Sequence, residues 1–164
     1  MSMVFQPTTE RPEREFVLTR TFDAPAELVY KCWTESEHMA KWWGPHMFTN
    51  PLCEIDPRVG GKIVIHMQGP DGNIFPMVAD FTELVEFTKI AFNFSAQDLK
   101  GNRLLEGFTS VALAEESGKT VLTVHSKAVG LVDIAPQMLA GMEIGWTQSL
   151  ERLEELVSTG SVKQ

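Results

Sequence analysis

Apolar positions along this chain change their period twice, and the changes mark out its elements. From Glu15 to Phe22 they alternate, with Phe16, Leu18 and Phe22 on one side and Val17, Thr19 and Thr21 on the other, the pattern of a half-buried strand. After Asp23-Ala24-Pro25 the spacing becomes three to four. Leu28, Val29, Cys32 and Trp33 then predict a short helix opened by Pro25 and capped by Asp23 or Ala24. A second short helix, capped by Thr34 or Ser36, carries Met39, Trp42 and Trp43 and breaks at Gly44-Pro45. From Thr49 the period returns to two. Strands are expected over Leu52 to Arg58, Lys62 to Gln68, Ile74 to Phe87, Lys89 to Ser95, Gly107 to Glu115 and Thr120 to Lys127. Most links between them are short and turn-like, which makes an antiparallel meander, and only Ala96 to Glu106 reads as a longer polar loop.

The second change comes at Asp133. Met138, Met142, Trp146, Ser149, Leu150, Leu153 and Val157 recur at helical spacing, while Glu143, Gln148, Glu151, Arg152, Glu154 and Glu155 take the other side. The spacing predicts a long amphipathic helix from Asp133 to Val157, with Asp133 as N-cap, Pro136 in the first turn and Gly160 as the stop. A meander exposes one apolar face, and one helix roughly 30 Å long covers it if the sheet curls. The expected fold is therefore α+β, a helix on a curved seven-stranded sheet. Residues 1–14 are expected to be a flexible arm, 15–158 a single domain and 159–164 a tail.

Composition narrows the function classes. A hydrophobic share of 43% with 22% charged residues is that of an ordinary globular protein. With 14 Lys and Arg against 22 Asp and Glu, the net charge of -8 supplies no basic footprint for nucleic acid. Apolar runs are too short to span a membrane and the N-terminus lacks the apolar core of a signal peptide, so a cytoplasmic location is expected. Cys32 and Cys53 have no CxxC spacing and read as buried thiols. His38, His46, His66 and His125 form no metal-ligand pattern, and Ser110, Ser126 and Ser149 lie outside any nucleophile elbow. Neither metal, cofactor nor covalent catalysis is expected.

Several motifs in order resemble a known family: Thr21-Phe22-Asp23-Ala24-Pro25 with Val29 and Trp33, Trp42-Trp43-Gly44-Pro45, Asp56-Pro57-Arg58-Val59-Gly60-Gly61, Gly69-Pro70-Asp71-Gly72, and Gly145-Trp146 followed by Leu150-Glu151-Arg152-Leu153. Over roughly residues 15 to 157 the chain is similar to the START-like, birch-pollen-allergen-like superfamily. Within it the closest likeness is to the branch named after the activator of the ninety-kilodalton heat-shock protein's ATPase. The resemblance implies a helix-grip fold with a cavity between sheet and helix. It also implies one of three roles: binding a lipid- or polyketide-like molecule, regulating a chaperone ATPase in a stress response, or acting as a cyclase or aromatase.

The residues expected to line such a cavity are Ile63, Ile65, Met67, Met77, Phe81, Phe92, Phe94, Met138, Met142 and Trp146. Four methionines among them suit an adaptable apolar pocket, although every one of these side chains is also explained by core filling. Trp42 and Trp43 are placed near the mouth, one as plug and one at the entrance, with His46 and Phe48 on the following loop. Alternation puts Glu83 on the side of Met77 and Phe81, which makes it the candidate polar anchor, and an enzyme would draw on Glu83, His66 or Arg58. Asp56-x-Arg58-x-Gly60-Gly61 reads as a fixed turn with an ion pair. Gly141 and Gly145 each cost the helix about 1 kcal/mol, so close packing or ligand space is expected beside them. The partners expected are a hydrophobic small molecule, a chaperone, and a second copy joined through strand edges.

Overall fold

The computed structural model describes residues 12–159. A ten-residue strand β1 (Glu13–Phe22) leads into the helices α1 (Ala26–Thr34) and α2 (Ser36–Trp42). Six strands follow: β2 (Thr49–Ile55), β3 (Lys62–Gln68), β4 (Ile74–Val85), β5 (Lys89–Gln97), β6 (Arg103–Glu116) and β7 (Lys119–Gly130). Helix α3 (Ala135–Thr159) closes the described chain. The strands form one sheet in the order β1-β7-β6-β5-β4-β3-β2, antiparallel throughout. This is the expected α+β helix-grip architecture. Among the described residues no helix is long and apolar enough to cross a membrane.

The departures from the sequence pattern have local causes. Glu13 and Arg14, expected in the arm, pair with Val129 and Ala128 and extend β1. The rest of the arm, the tail from Gly160 and the helix stop expected there lie outside the described residues. Of the loop expected over Ala96 to Glu106, only Asp98 to Asn102 lies outside the long strands, as a tight turn in which the Asp98 carboxylate accepts from the backbone N–H of Lys100 and Asn102, each at 2.9 Å, and Gly101 takes φ +86°. Its polar residues suggest a loop, but Gln97, Arg103 and Glu106 belong to strand ends. The expected side-chain N-caps of α1 and α2 are absent. Pro25 and Glu35 hold those positions, and the Ala26 N–H is met by the Glu115 carboxylate of β6 at 2.6 Å. Asp133 lies two residues ahead of α3, whose first N–H, at Ala135, donates to the Val132 carbonyl at 3.1 Å.

Alternation along each strand sorts the sheet into two faces. Phe22, Ile63, Ile65, Ala79, Phe81, Ile90, Phe92, Val111, Leu122 and Val124 face inward, are fully buried, and meet Leu150, Leu153 and Leu156 of α3 with Val29, Trp33 and Trp42 of the short helices. A smaller cluster of Leu104, Leu105, Ala128, Val132, Ala135 and Leu139 seats the start of α3. Apolar side chains buried at this density provide the main drive to fold.

The two free cysteines make this core sensitive to alkali. Burial pushes the Cys32 thiol from the ordinary 9.0 up to about 12, and Cys53 to about 11, with Glu35 and Glu54 adding to the rise. In the unfolded chain both thiols ionise near pH 9, whereas in the fold they stay protonated. Their contribution to stability is complete below pH 9 and is lost as pH rises toward 11 and 12. The urea midpoint is therefore expected to fall above pH 9, and to fall less in a Cys32→Ala, Cys53→Ala double variant.

Candidate functional site

Exposure along the inner face is graded, and the gradient locates the site. On β3, Ile63 and Ile65 are buried and Met67 is half-open. On β4, Phe81 and Ala79 are buried, Met77 is half-open and Phe75 is 44% exposed. On β5, Ile90 and Phe92 are buried while Phe94 and Ala96 are half-open. Register puts the open residues side by side, since Met67 pairs with Phe75 and Met77 with Ala96. From α3, Met138 and Met142 are half-buried, and Phe94 and Met142 pack against both core clusters. These half-buried apolar side chains are the candidate lining of a cleft beside the sealed core. The helix packs chiefly on β1, β7 and α2.

Aromatic rings form one wall. Trp33 stacks on Trp146 with centroids 5.8 Å apart, Trp42 packs edge-on against Trp33 at 4.7 Å, and Trp43 meets Trp146 edge-on at 5.2 Å. Trp42 is buried and donates from Nε1 to the Cys32 carbonyl at 2.8 Å, so it plugs the sheet, whereas half-buried Trp43 reaches the opening. Phe48 packs against Phe75 at 6.0 Å on the far side of the mouth.

Arg152 holds this mouth in place, and periodicity assigned it to the solvent side. It is 3% exposed. Its Nη1 donates to the carbonyls of Trp43, Gly44 and Pro45 at 3.0 to 3.1 Å, and its Nη2 to that of Lys41 at 3.2 Å. Desolvation lowers the guanidinium pKa, opposed by Glu155, and the four carbonyls take the place of water around a cation that stays charged. Ser149 and Gln148 add to the grip by accepting from the backbone N–H of Gly44 and His46, at 3.0 and 3.1 Å, and Glu151 pairs with His46 at 3.0 Å. The loop needs left-handed backbone at Gly44 (φ +100°), where a Cβ would lie 2.6 Å from the Met67 sulfur. A signal for this clamp existed in the Leu150-Glu151-Arg152-Leu153 motif, but a stripe defined by apolar residues does not register a buried arginine. Leu139, Leu156, Phe75 and Ala96 also escaped the sequence reading.

The structure distributes the expected site residues between the core and half-buried positions. Ile63, Ile65, Phe81, Phe92 and Trp42 are sealed in the core, and Trp146 is nearly so. Met67, Met77, Phe94, Met138, Met142, Trp43 and Phe48 are half-buried. Glu83 is not on the inner face. Phe81 pairs with Phe92 but Glu83 with Ala91, so Thr82 is an extra residue, and this bulge turns Glu83 to the outer face, where it pairs with Lys89 at 3.0 Å. His66 alternates with buried Ile65 and lies on the outer face, and Arg58 pairs with Asp56 at 2.7 Å in an exposed turn. The three residues proposed for acid–base work are thus not brought together at the opening. A groove of about 400 Å³ occurs on the outer face, over Val78, Ser95, Glu106 and Val129, with the sheet between it and α3. No group of three or more His, Cys, Asp or Glu that could hold a metal occurs among the described residues.

The helix glycines have no sheet backbone against them. A Cβ at Gly141 would meet nothing within 4 Å, and one at Gly145 only Pro45 at 3.8 Å. Gly141→Ala is therefore expected to stabilise the fold by about 1 kcal/mol, read as a rise in the urea midpoint.

Solved structures share this fold. The chain aligns with a protein of Chromobacterium violaceum at 28% identity, over 87% of this chain and 96% of that one, with a TM-score of 0.75. A protein of Arthrobacter aurescens matches at 26% identity, over 88% and 86% of the two chains, with a TM-score of 0.77. The AHSA1 protein of Silicibacter pomeroyi shares the fold at 21% identity, over 90% and 99%, with a TM-score of 0.76. No curated protein matches the chain. The profile of one family, described as Activator of Hsp90 ATPase homolog 1-like protein, matches residues 23–158. With that match spanning both short helices, the meander and nearly all of α3, the chain belongs to the Activator of Hsp90 ATPase homolog 1-like family.

Proposed function

We propose that this protein binds one uncharged, hydrophobic or amphipathic small molecule in the cleft between β3 to β5 and the first half of α3. The observation that carries this reading is the exposure gradient, in which inward-facing Met67, Met77, Phe94, Met138 and Met142 stay half-open while their neighbours one row deeper are sealed. None of these residues is ionisable, so the cleft offers a ligand dispersion contacts and no counter-charge. A polar headgroup would stay in water at the mouth, where His46 and Glu151 are half-exposed. Methionine thioethers adapt to irregular shapes, and Trp43 presents a ring edge to a flat one. Free, unpaired Cys32 and Cys53 fit a reducing, cytoplasmic setting.

Titration with the neutral fluorophore N-phenyl-naphthylamine tests the reading. Saturable, one-site enhancement is expected, and Met142→Trp, which fills the cleft, is expected to weaken it by about tenfold or more. Enhancement no greater than with an unrelated protein would refute it. Family membership supports a second role as a chaperone regulator, and an unchanged chaperone ATPase rate in the presence of the protein would remove it.

A further inference from the structure

Among the described residues, four of the six methionines belong to the proposed cleft. Of the described methionines, Met39 is 1% exposed and Met47 is 61% exposed, while Met67, Met77, Met138 and Met142, the four assigned to the proposed cleft, are half-buried. Thiols offer little competition for an oxidant. Cys32 is buried and Cys53 half-buried, and burial keeps both protonated at neutral pH, whereas the thiolate is the reactive form. A thioether needs no ionisation to react, only access. The Met67 sulfur also lies directly against Gly44, in the loop that Arg152 clamps.

We propose that Met67, Met77, Met138 and Met142 form a peroxide-sensitive modification site, and that their oxidation converts the cleft from an apolar to a polar surface that no longer takes up hydrophobic ligands. The inference rests on the cleft being the binding site. In each event a sulfur lone pair attacks one peroxide oxygen and the O–O bond breaks. That oxygen stays on sulfur as the sulfoxide, and the other leaves as water after taking up the remaining proton. Sulfur loses two electrons and the peroxide gains them. The product is larger, polar and chiral. At Met67 the added oxygen would also crowd the approach to Gly44, and so strain the loop that carries Trp43.

The experiment uses the full chain treated with graded hydrogen peroxide, peptide mass mapping of each methionine, and titration with N-phenyl-naphthylamine. Met47 is expected to oxidise first, the four cleft methionines next and Met39 last, with both cysteines unmodified in the folded protein. Probe affinity is expected to fall by about tenfold or more as the cleft sulfoxides accumulate, and to be unmoved by the Met47 sulfoxide that precedes them. A Met67→Leu, Met77→Leu, Met138→Leu, Met142→Leu variant, compared with its own untreated affinity, is expected to lose nothing on treatment. If four changes together prevent folding, the single Met77→Leu and Met142→Leu variants are expected to lose proportionately less than the parent. Cleft methionines that oxidise no faster than Met39, or an oxidised protein that binds the probe as before, would overturn the proposal alone. Failure of the untreated protein to bind the probe would overturn the binding reading and this proposal together.

Discussion

Arg152→Ala is expected to destabilise the fold by about 2 to 4 kcal/mol. The substitution removes a buried cation that donates to four backbone carbonyls, at Lys41, Trp43, Gly44 and Pro45. All four carbonyls lose this donor, with Trp43 keeping the Asn50 amide at 2.8 Å and Pro45 the Phe48 N–H at 3.2 Å, on a segment otherwise anchored by Ser149, Gln148 and Glu151. The cost also includes the volume left beside Trp43. Arg152→Lys should recover little of it, since an ammonium is a point charge on a flexible stem and cannot fan across four acceptors. Urea unfolding of the two variants measures this directly. A loss within about 0.5 kcal/mol, the range of ordinary surface substitutions, would show that the clamp is not what holds the mouth. The same variants should bind a hydrophobic probe more weakly, because the loop freed by the change carries the Trp43 ring.

Gly61→Ala is expected to cost about 3 kcal/mol or more, and more than Gly60→Ala. The two glycines serve different purposes. Gly60 has φ +84° with nothing within 4 Å of a Cβ, so alanine there meets only left-handed strain of about 1 to 2 kcal/mol. At Gly61 a Cβ would collide with the Asp56 carbonyl oxygen and lie 2.8 Å from that of Arg58, both main-chain atoms that cannot rotate away. The turn also exchanges hydrogen bonds with β4, Gly60 N–H to the Phe81 carbonyl at 2.8 Å and Phe81 N–H to the Gly61 carbonyl at 3.0 Å. Displacing it would disturb the strand where the Thr82 bulge begins. Thermal unfolding of the two variants provides the comparison, and a Gly61→Ala cost equal to or below that of Gly60→Ala would contradict this account.

These two sites show what the sequence reveals and what it hides. The turn at Asp56 to Gly61 was legible, because an acid, a proline and paired glycines between alternating strands fit a fixed bend. The meander from β2 to β7 and the covering helix were legible for a similar reason, since a period of two with short links allows little besides a meander, whereas the seat of β1 beside β7 was not. Glu83 was misplaced because alternation counts residues, whereas a bulge inserts one, and nothing in Phe81-Thr82-Glu83 marks the insertion. Arg152 was misplaced because amphipathic patterns treat charge as a sign of solvent, and its burial depends on four carbonyls from a segment more than a hundred residues away. The division of Ile63, Ile65, Phe81 and Phe92 from Met67, Met77 and Phe94 was equally hidden. All seven share one face and one period, and only the path of α3 across the sheet decides which of them it covers.

Whether the half-open methionines line the proposed ligand cleft can be read directly from the eight methionine methyls of the chain. The measurement is a methyl NMR titration of methionine-labelled protein with a neutral hydrophobic probe. The account predicts that Met77, Met138, Met142 and Met67 shift together at one saturating concentration, while buried Met39 and outward Met47 stay in place. Shifts confined to Met47, or a probe that binds with no change at Met77, Met138 and Met142, would contradict it.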